Sequence, residues 1–110
     1  MAVRYSNAFK RQLKRLARKY RHIRSDIEPV IDQLDAGARL GDQIQEIDRE
    51  VYKVRVKNTD ARRGKSGGYR ILYYLQTADD VVLVTIYSKP DQSDIDDAEV
   101  RTIIREEEPG

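Results

Sequence analysis

The sequence predicts an α+β fold in which a helical hairpin packs on one face of a small antiparallel β-sheet and a helix closes the chain. Three observations predict it. Apolar residues in the first third recur at helical spacing. From Val51 the pattern switches to strict alternation and then to β-branched and aromatic runs. After Pro90 the helical spacing returns. At 110 residues the chain is the size of one ordinary domain, so a single domain over 1–110 is expected.

Val3–Tyr5 is a short candidate edge strand, and Ser6 is placed as the N-cap of the first helix. Phe9, Leu13, Leu16, Tyr20 and Ile23 then form one amphipathic stripe. Ser25-Asp26-Ile27-Glu28 has the form of a capping box opening a second helix, with Ile27, Val30, Ile31 and Leu34 inward. Pro29 would fall near its first turn, and Gly37 is the expected terminator. In 51–58, Tyr52, Val54 and Val56 share one face of a strand and Lys53, Arg55 and Lys57 the other. Strands are expected over 69–77 and 81–89, joined at Ala78-Asp79-Asp80. A helix is expected over about 93–106, with frayed residues after it. Tyr52, Tyr69 and Tyr73 fall on the inward phase, and the sheet's other face is expected to be partly open.

Composition narrows the functions. There are no cysteines, which excludes disulfides and thiolate chemistry, and no apolar run long enough to span a bilayer. The N-terminus lacks a secretory signal, so a soluble, cytoplasmic protein without a membrane partner is expected. The net charge of +2 conceals blocks of +9 over 1–24, −6 over 25–50, +6 over 51–70 and −7 over 71–110. A polyanion is the natural partner of the basic blocks, unless the acidic blocks neutralise them internally.

The alternation of period two locates the open face. Lys53 and Arg55 lie on it, Arg70 brings Leu72 and Tyr74, and Lys89 brings Tyr87, Thr85 and Leu83. Four cations from three strands would converge with Tyr74 and Tyr87 interleaved. Cations grip phosphates and aromatic rings stack on unpaired bases, which points to RNA. Lys57, with Arg62, Arg63 and Lys65 in the glycine-bearing stretch 58–68, would add RNA contacts. The bland alternatives are a solvated strand face for the cations and packing against the last helix for the two tyrosines.

Val51-Tyr52-Lys53-Val54-Arg55-Val56, Gly67-Gly68-Tyr69-Arg70 and Ile86-Tyr87-Ser88-Lys89 together resemble the RelE/ParE toxin superfamily, and its HigB/RelE-like branch in particular. The resemblance covers nearly the whole chain and implies the RelE-like fold. It implies a toxin of a type II toxin–antitoxin system that cleaves mRNA on the ribosome, arrests translation and is held by a small cognate antitoxin. It further implies that no metal or other cofactor is used: the ribose 2′-OH attacks the adjacent phosphate to give a 2′,3′-cyclic phosphate. Lys53, Arg55, Arg70 and Lys89 match the catalytic positions. Crowding among cations would lower the pKa of Lys53 and suit it to act as a base, while Arg70 would stabilise the pentacovalent phosphate. The stretch 90–97 lacks the tyrosine that some of these toxins place there. Relatives of the ParE type poison DNA gyrase instead, and a catalytically inactive RNA-binding module is a further alternative.

Other signals carry less. Gly64-Lys65-Ser66 is not a phosphate-binding loop, because Thr59 stands where a glycine is required and a strand follows. His22 has no partner histidine with which to hold a metal and reads as a surface or capping residue. The basic face Lys10, Arg11, Lys14, Arg15, Arg18 and Lys19 is a solvated helix face or a contact for ribosomal RNA. Asp91, Asp94, Asp96, Asp97 and Glu99 are expected to cap and charge the start of the last helix.

Overall fold

The computed structural model describes residues 2–61 and 67–108. In chain order it runs β1 (Ala2–Tyr5), α1 (Asn7–Ala17), α2 (Ile23–Asp35), β2 (Asp42–Gln43), β3 (Val51–Val56), β4 (Tyr69–Leu75), β5 (Asp80–Ser88) and α3 (Asp97–Glu107). The architecture is α+β, as the sequence predicts. Among the described residues the sheet has five strands in the order β1-β5-β4-β3-β2: the three antiparallel strands expected, the expected edge strand β1, and β2, which was not expected. β1 runs parallel to β5, and β2 adds a two-residue edge beside β3.

Ser6 caps α1 as expected: its Oγ accepts the Phe9 N–H at 2.9 Å and donates to the Val84 carbonyl at 2.6 Å. One hydroxyl therefore starts the helix and fastens it to β5. The apolar stripe is intact, but α1 ends at Ala17 and Ile23 already belongs to α2. The expected capping box at 25–28 does not form. α2 opens earlier, at Ile23, and the Ser25 hydroxyl donates to the His22 carbonyl instead. Pro29 consequently sits inside the helix, exposed. Gly37, at φ 102°, ends α2 with the Ala38 N–H returning to the Gln33 carbonyl and its own to Leu34. That paired return is the Schellman arrangement.

Two apolar clusters form, one on each face of the sheet. Phe9, Leu13, Leu16, Tyr20, Ile23, Ile27 and Leu34 of the hairpin bury Val54, Val56, Tyr69, Ile71, Tyr73 and Leu83. Tyr52 stacks on Tyr73 with ring centroids 5.2 Å apart. The opposite face, expected to be partly open, is largely covered. Val100, Ile103 and Ile104 of α3, with Ile47 of the segment before β3, pack on Val51, Leu72, Tyr74, Val82, Val84 and Tyr87. This corrects the expected exposure of Tyr74, which is 0% exposed and unavailable for stacking on a base.

The β4–β5 register shifts between Leu72 and Tyr73: Leu72 pairs with Thr85 and Tyr73 with Leu83. Val84 is therefore the additional residue of a bulge on β5. It moves Leu83 off the face of Thr85 and Tyr87 and into the hairpin core, against strict alternation. α3 begins at Asp97, later than the expected start near Ser93, and continues through Glu107. Arg49 and Glu108 form an ion pair of 2.5 Å beside its end, so fraying does not begin at Glu106. Pro109 and Gly110 lie outside the described residues. No described helix is long and apolar enough to cross a membrane.

Candidate active site

α3 leaves part of its sheet face uncovered, and there a cleft of about 900 Å³ opens. Lys53 and Arg55 of β3, Arg70 of β4, and Tyr87 and Lys89 at the end of β5 line one side. The register explains why they meet: Arg55 stands opposite Arg70, Arg70 opposite Tyr87, and Lys53 opposite Leu72. Asp94 and Ile95 of the link between β5 and α3, Asp97 at the start of α3, and Gly41, Asp42 and Glu46 before β3 complete the lining.

The four expected cations thus share one cavity, but their environments differ. Arg70 is buried at 6% exposure, not displayed on an open face, and its Nη1 donates to the Tyr69 carbonyl at 3.2 Å. Arg55 is exposed, and its side chain makes no hydrogen bond or ion pair among the described residues. Lys89 is exposed, with its Nζ donating to the Ser93 carbonyl at 2.6 Å. Lys53 donates to Asp94 Oδ1 at 2.8 Å.

That last contact reverses the electrostatic expectation for Lys53. Its burial favours the neutral amine, but the hydrogen bond to Asp94 and the nearby Asp94 and Tyr87 oxygens outweigh it, so the pKa lies above the usual 10.5. Crowding by cations does not dominate, because a carboxylate sits closer. Asp94 is in turn held below the ordinary carboxylate value, first by Lys53 and then by the Ile95 N–H. Tyr87 is 3% exposed, so its ring, like that of Tyr74, is not open to stack on a base. Its hydroxyl donates to the same Asp94 oxygen at 3.3 Å. Burial raises its pKa, so it is a neutral phenol at physiological pH.

Lys57 is exposed just beyond β3 and does not line the cleft. Arg62, Arg63 and Lys65 lie outside the described residues. The segment leading to them is anchored to α2: Asp26 accepts from the Thr59 N–H at 3.0 Å, and His22 Nδ1 meets Asp60 Oδ1 at 2.7 Å. His22 is thus an exposed residue at the start of α2 with a carboxylate partner. No group of three His, Cys, Asp or Glu side chains among the described residues is placed to hold a metal ion. The basic residues Lys10, Arg11, Lys14, Arg15, Arg18 and Lys19 on the outer face of the first helical segment are exposed.

Asp94 is the site residue that the helix-capping reading missed. Asp96 occupies the cap position of α3 and makes no side-chain cap hydrogen bond, while Asp94 reaches into the cleft and Asp91 pairs with Lys19 at 2.8 Å. The usable signal was the alternation of charge blocks, which allowed internal neutralisation. Gly41 was also missed: at φ +84° its backbone lies so close to β3 that a Cβ would collide with the Lys53 carbonyl.

A family model described as the RelE toxin of the RelE/RelB toxin–antitoxin system matches residues 6–106. No curated protein matches the chain.

Proposed function

The chain belongs to the RelE toxin family, and from that premise we propose that it is a ribosome-dependent mRNA endonuclease whose cleavage arrests translation. Membership makes it a toxin with an antitoxin partner. The observation that supports the enzymatic reading is the meeting of Lys53, Arg55, Arg70 and Lys89 with Tyr87 in one cleft. Such a set can hold a phosphodiester and offset the charge that builds on it.

In this reading the ribose 2′-oxygen attacks the neighbouring phosphorus, the bond to the 5′-oxygen breaks, and a 2′,3′-cyclic phosphate remains. The 2′-hydroxyl loses its proton and the departing 5′-oxygen gains one. Arg70, permanently charged and fixed in the wall, is the stabiliser of the pentacovalent phosphate. Lys53 enters as an ammonium, so it is suited to neutralising the phosphate or protonating the leaving oxygen rather than to abstracting a proton. Arg55 and Lys89 grip the flanking backbone. Tyr87 orients groups through its hydroxyl, since its ring is packed away.

Induced expression in a bacterium tests the proposal, with protein synthesis, plasmid supercoiling and transcript 5′ ends followed together. Translation should fall within minutes, new 5′ ends should map inside coding sequences, and supercoiling should stay normal. Continuing translation with accumulating gyrase–DNA breaks would overturn it.

A further inference from the structure

Two of the cleft cations, Lys53 and Lys89, are held by the link between β5 and α3. The Ser93 carbonyl takes Lys89 at 2.6 Å and the Asp94 carboxylate takes Lys53 at 2.8 Å. We propose that Asp94 is a built-in counter-ion that occupies the phosphate position on Lys53 in the free protein and yields it to a phosphodiester of single-stranded RNA. The inference rests on reading the cleft as an RNA site.

The asymmetry of the pair shows which partner gives way. Lys53 projects from the middle of β3, and its side chain is 30% exposed. Asp94 lies in a connecting segment outside any helix or strand, and its side chain is 64% exposed. An exposed carboxylate returns to water at little expense, whereas the lysine is fixed by its strand. The exchange is also balanced in charge. A phosphodiester carries one negative charge, as Asp94 does, so Lys53 stays an ammonium throughout and no proton need move. Until RNA arrives, Asp94 keeps a negative charge beside Lys53, and it also holds the Tyr87 hydroxyl and the Ile95 N–H. The consequence is competition: part of the affinity available to RNA is spent on displacing an internal anion.

Asp91 supplies a matched control. It belongs to the same link and carries the same charge, but its partner is Lys19 at 2.8 Å, outside the cleft. General repulsion between RNA and an acidic segment would make the two residues equivalent. Local competition makes only Asp94 matter.

The test measures binding of a single-stranded RNA carrying 2′-O-methyl groups, which blocks the nucleophile and leaves the phosphates. Wild type, Asp94→Asn and Asp91→Asn are compared at low and high salt. Asparagine keeps the shape of the carboxylate and one acceptor oxygen, and at an exposed position it leaves the fold intact, which a thermal melt verifies. Asp94→Asn should bind roughly two- to fivefold tighter at low salt, as expected for removal of one exposed ion pair. The gain should shrink as salt rises, and Asp91→Asn should stay nearer to wild type. Unchanged or weaker binding by Asp94→Asn overturns the inference, as does an equal gain from Asp91→Asn. Failure of wild type and both variants to bind RNA would instead bring down the reading of the cleft, and this inference with it.

Discussion

Arg55 and Arg70 stand directly opposite each other on neighbouring strands β3 and β4, a cross-strand pair of like charges. Such a pair destabilises a sheet, by roughly 0.2–1 kcal/mol on the usual scale for cross-strand neighbours. Its presence beside a cleft suits a site for an anion, since bound phosphate lowers the repulsion.

Replacing Arg55 with threonine should therefore stabilise the protein while slowing the proposed cleavage. Threonine suits a strand, and the substitution removes the repulsion at an exposed position. Thermal unfolding should shift upward and single-turnover cleavage should slow. A lower melting temperature would show that the guanidinium contributes more by packing than it loses by repulsion.

Arg70 should behave differently, because it is only 6% exposed. Arg70→Ala should abolish cleavage and also destabilise the fold by about 1–3 kcal/mol, the usual range for emptying a buried polar site. Arg70→Lys retains the charge without the planar fork, and should recover more stability than activity. Denaturant unfolding and single-turnover kinetics on the same preparations separate the two effects.

The Lys53–Asp94 pair predicts a pH window. Lys53 has its pKa raised above 10.5, so its contribution is present below the unfolded value and is lost as pH rises through the folded one. Asp94 has its pKa lowered below 3.8, so its contribution is present above the unfolded value and is lost as pH falls through the folded one. The stability difference between wild type and Lys53→Met should therefore be flat across neutral pH and change only toward either extreme. Urea titrations at several pH values would show this, and a step near neutrality would point to a different titrating partner. The amplitude should be small, because Asp94 is largely solvated.

Gly41→Ala should damage the site from outside the set of cations. It imposes a left-handed backbone on alanine and drives a methyl group into the Lys53 carbonyl. A loss of about 1–3 kcal/mol is expected from such strain. Cleavage should fall further than stability alone explains, since β2 would be pushed off the strand that carries Lys53. Wild-type stability in this variant would show that β2 can peel away freely.

Much of the fold was legible in the sequence because it depends on neighbours along the chain. The burial of Phe9, Leu13 and Leu16, the Ser6 cap, the Gly37 terminator and the alternation of Val51–Val56 are matters of spacing, and they appear where that spacing puts them, whereas Tyr20 and Ile23 join the same core from beyond the end of α1. The same alternation was enough to bring Lys53, Arg55, Arg70, Tyr87 and Lys89 to one cleft, because strand parity carries from one paired strand to the next.

What the tertiary structure alone decided are the contacts between distant segments. The seating of α3 on the second face buried Tyr74, which period two had left open. One bulge at Val84 reversed the phase of Leu83, and no local pattern marks where an additional residue will be accommodated. Parallel pairing of β1 with β5 joins residues far apart in the chain, as Ala2 with Asp80. The state of Lys53 was decided in the same way. Its neighbours along the strand are cations and argue for a depressed pKa, but Asp94, brought in from beyond β5, stands 2.8 Å away and prevails. Electrostatic energy falls with distance in space rather than along the chain, so the charge of a site residue is set by whichever group the fold places beside it.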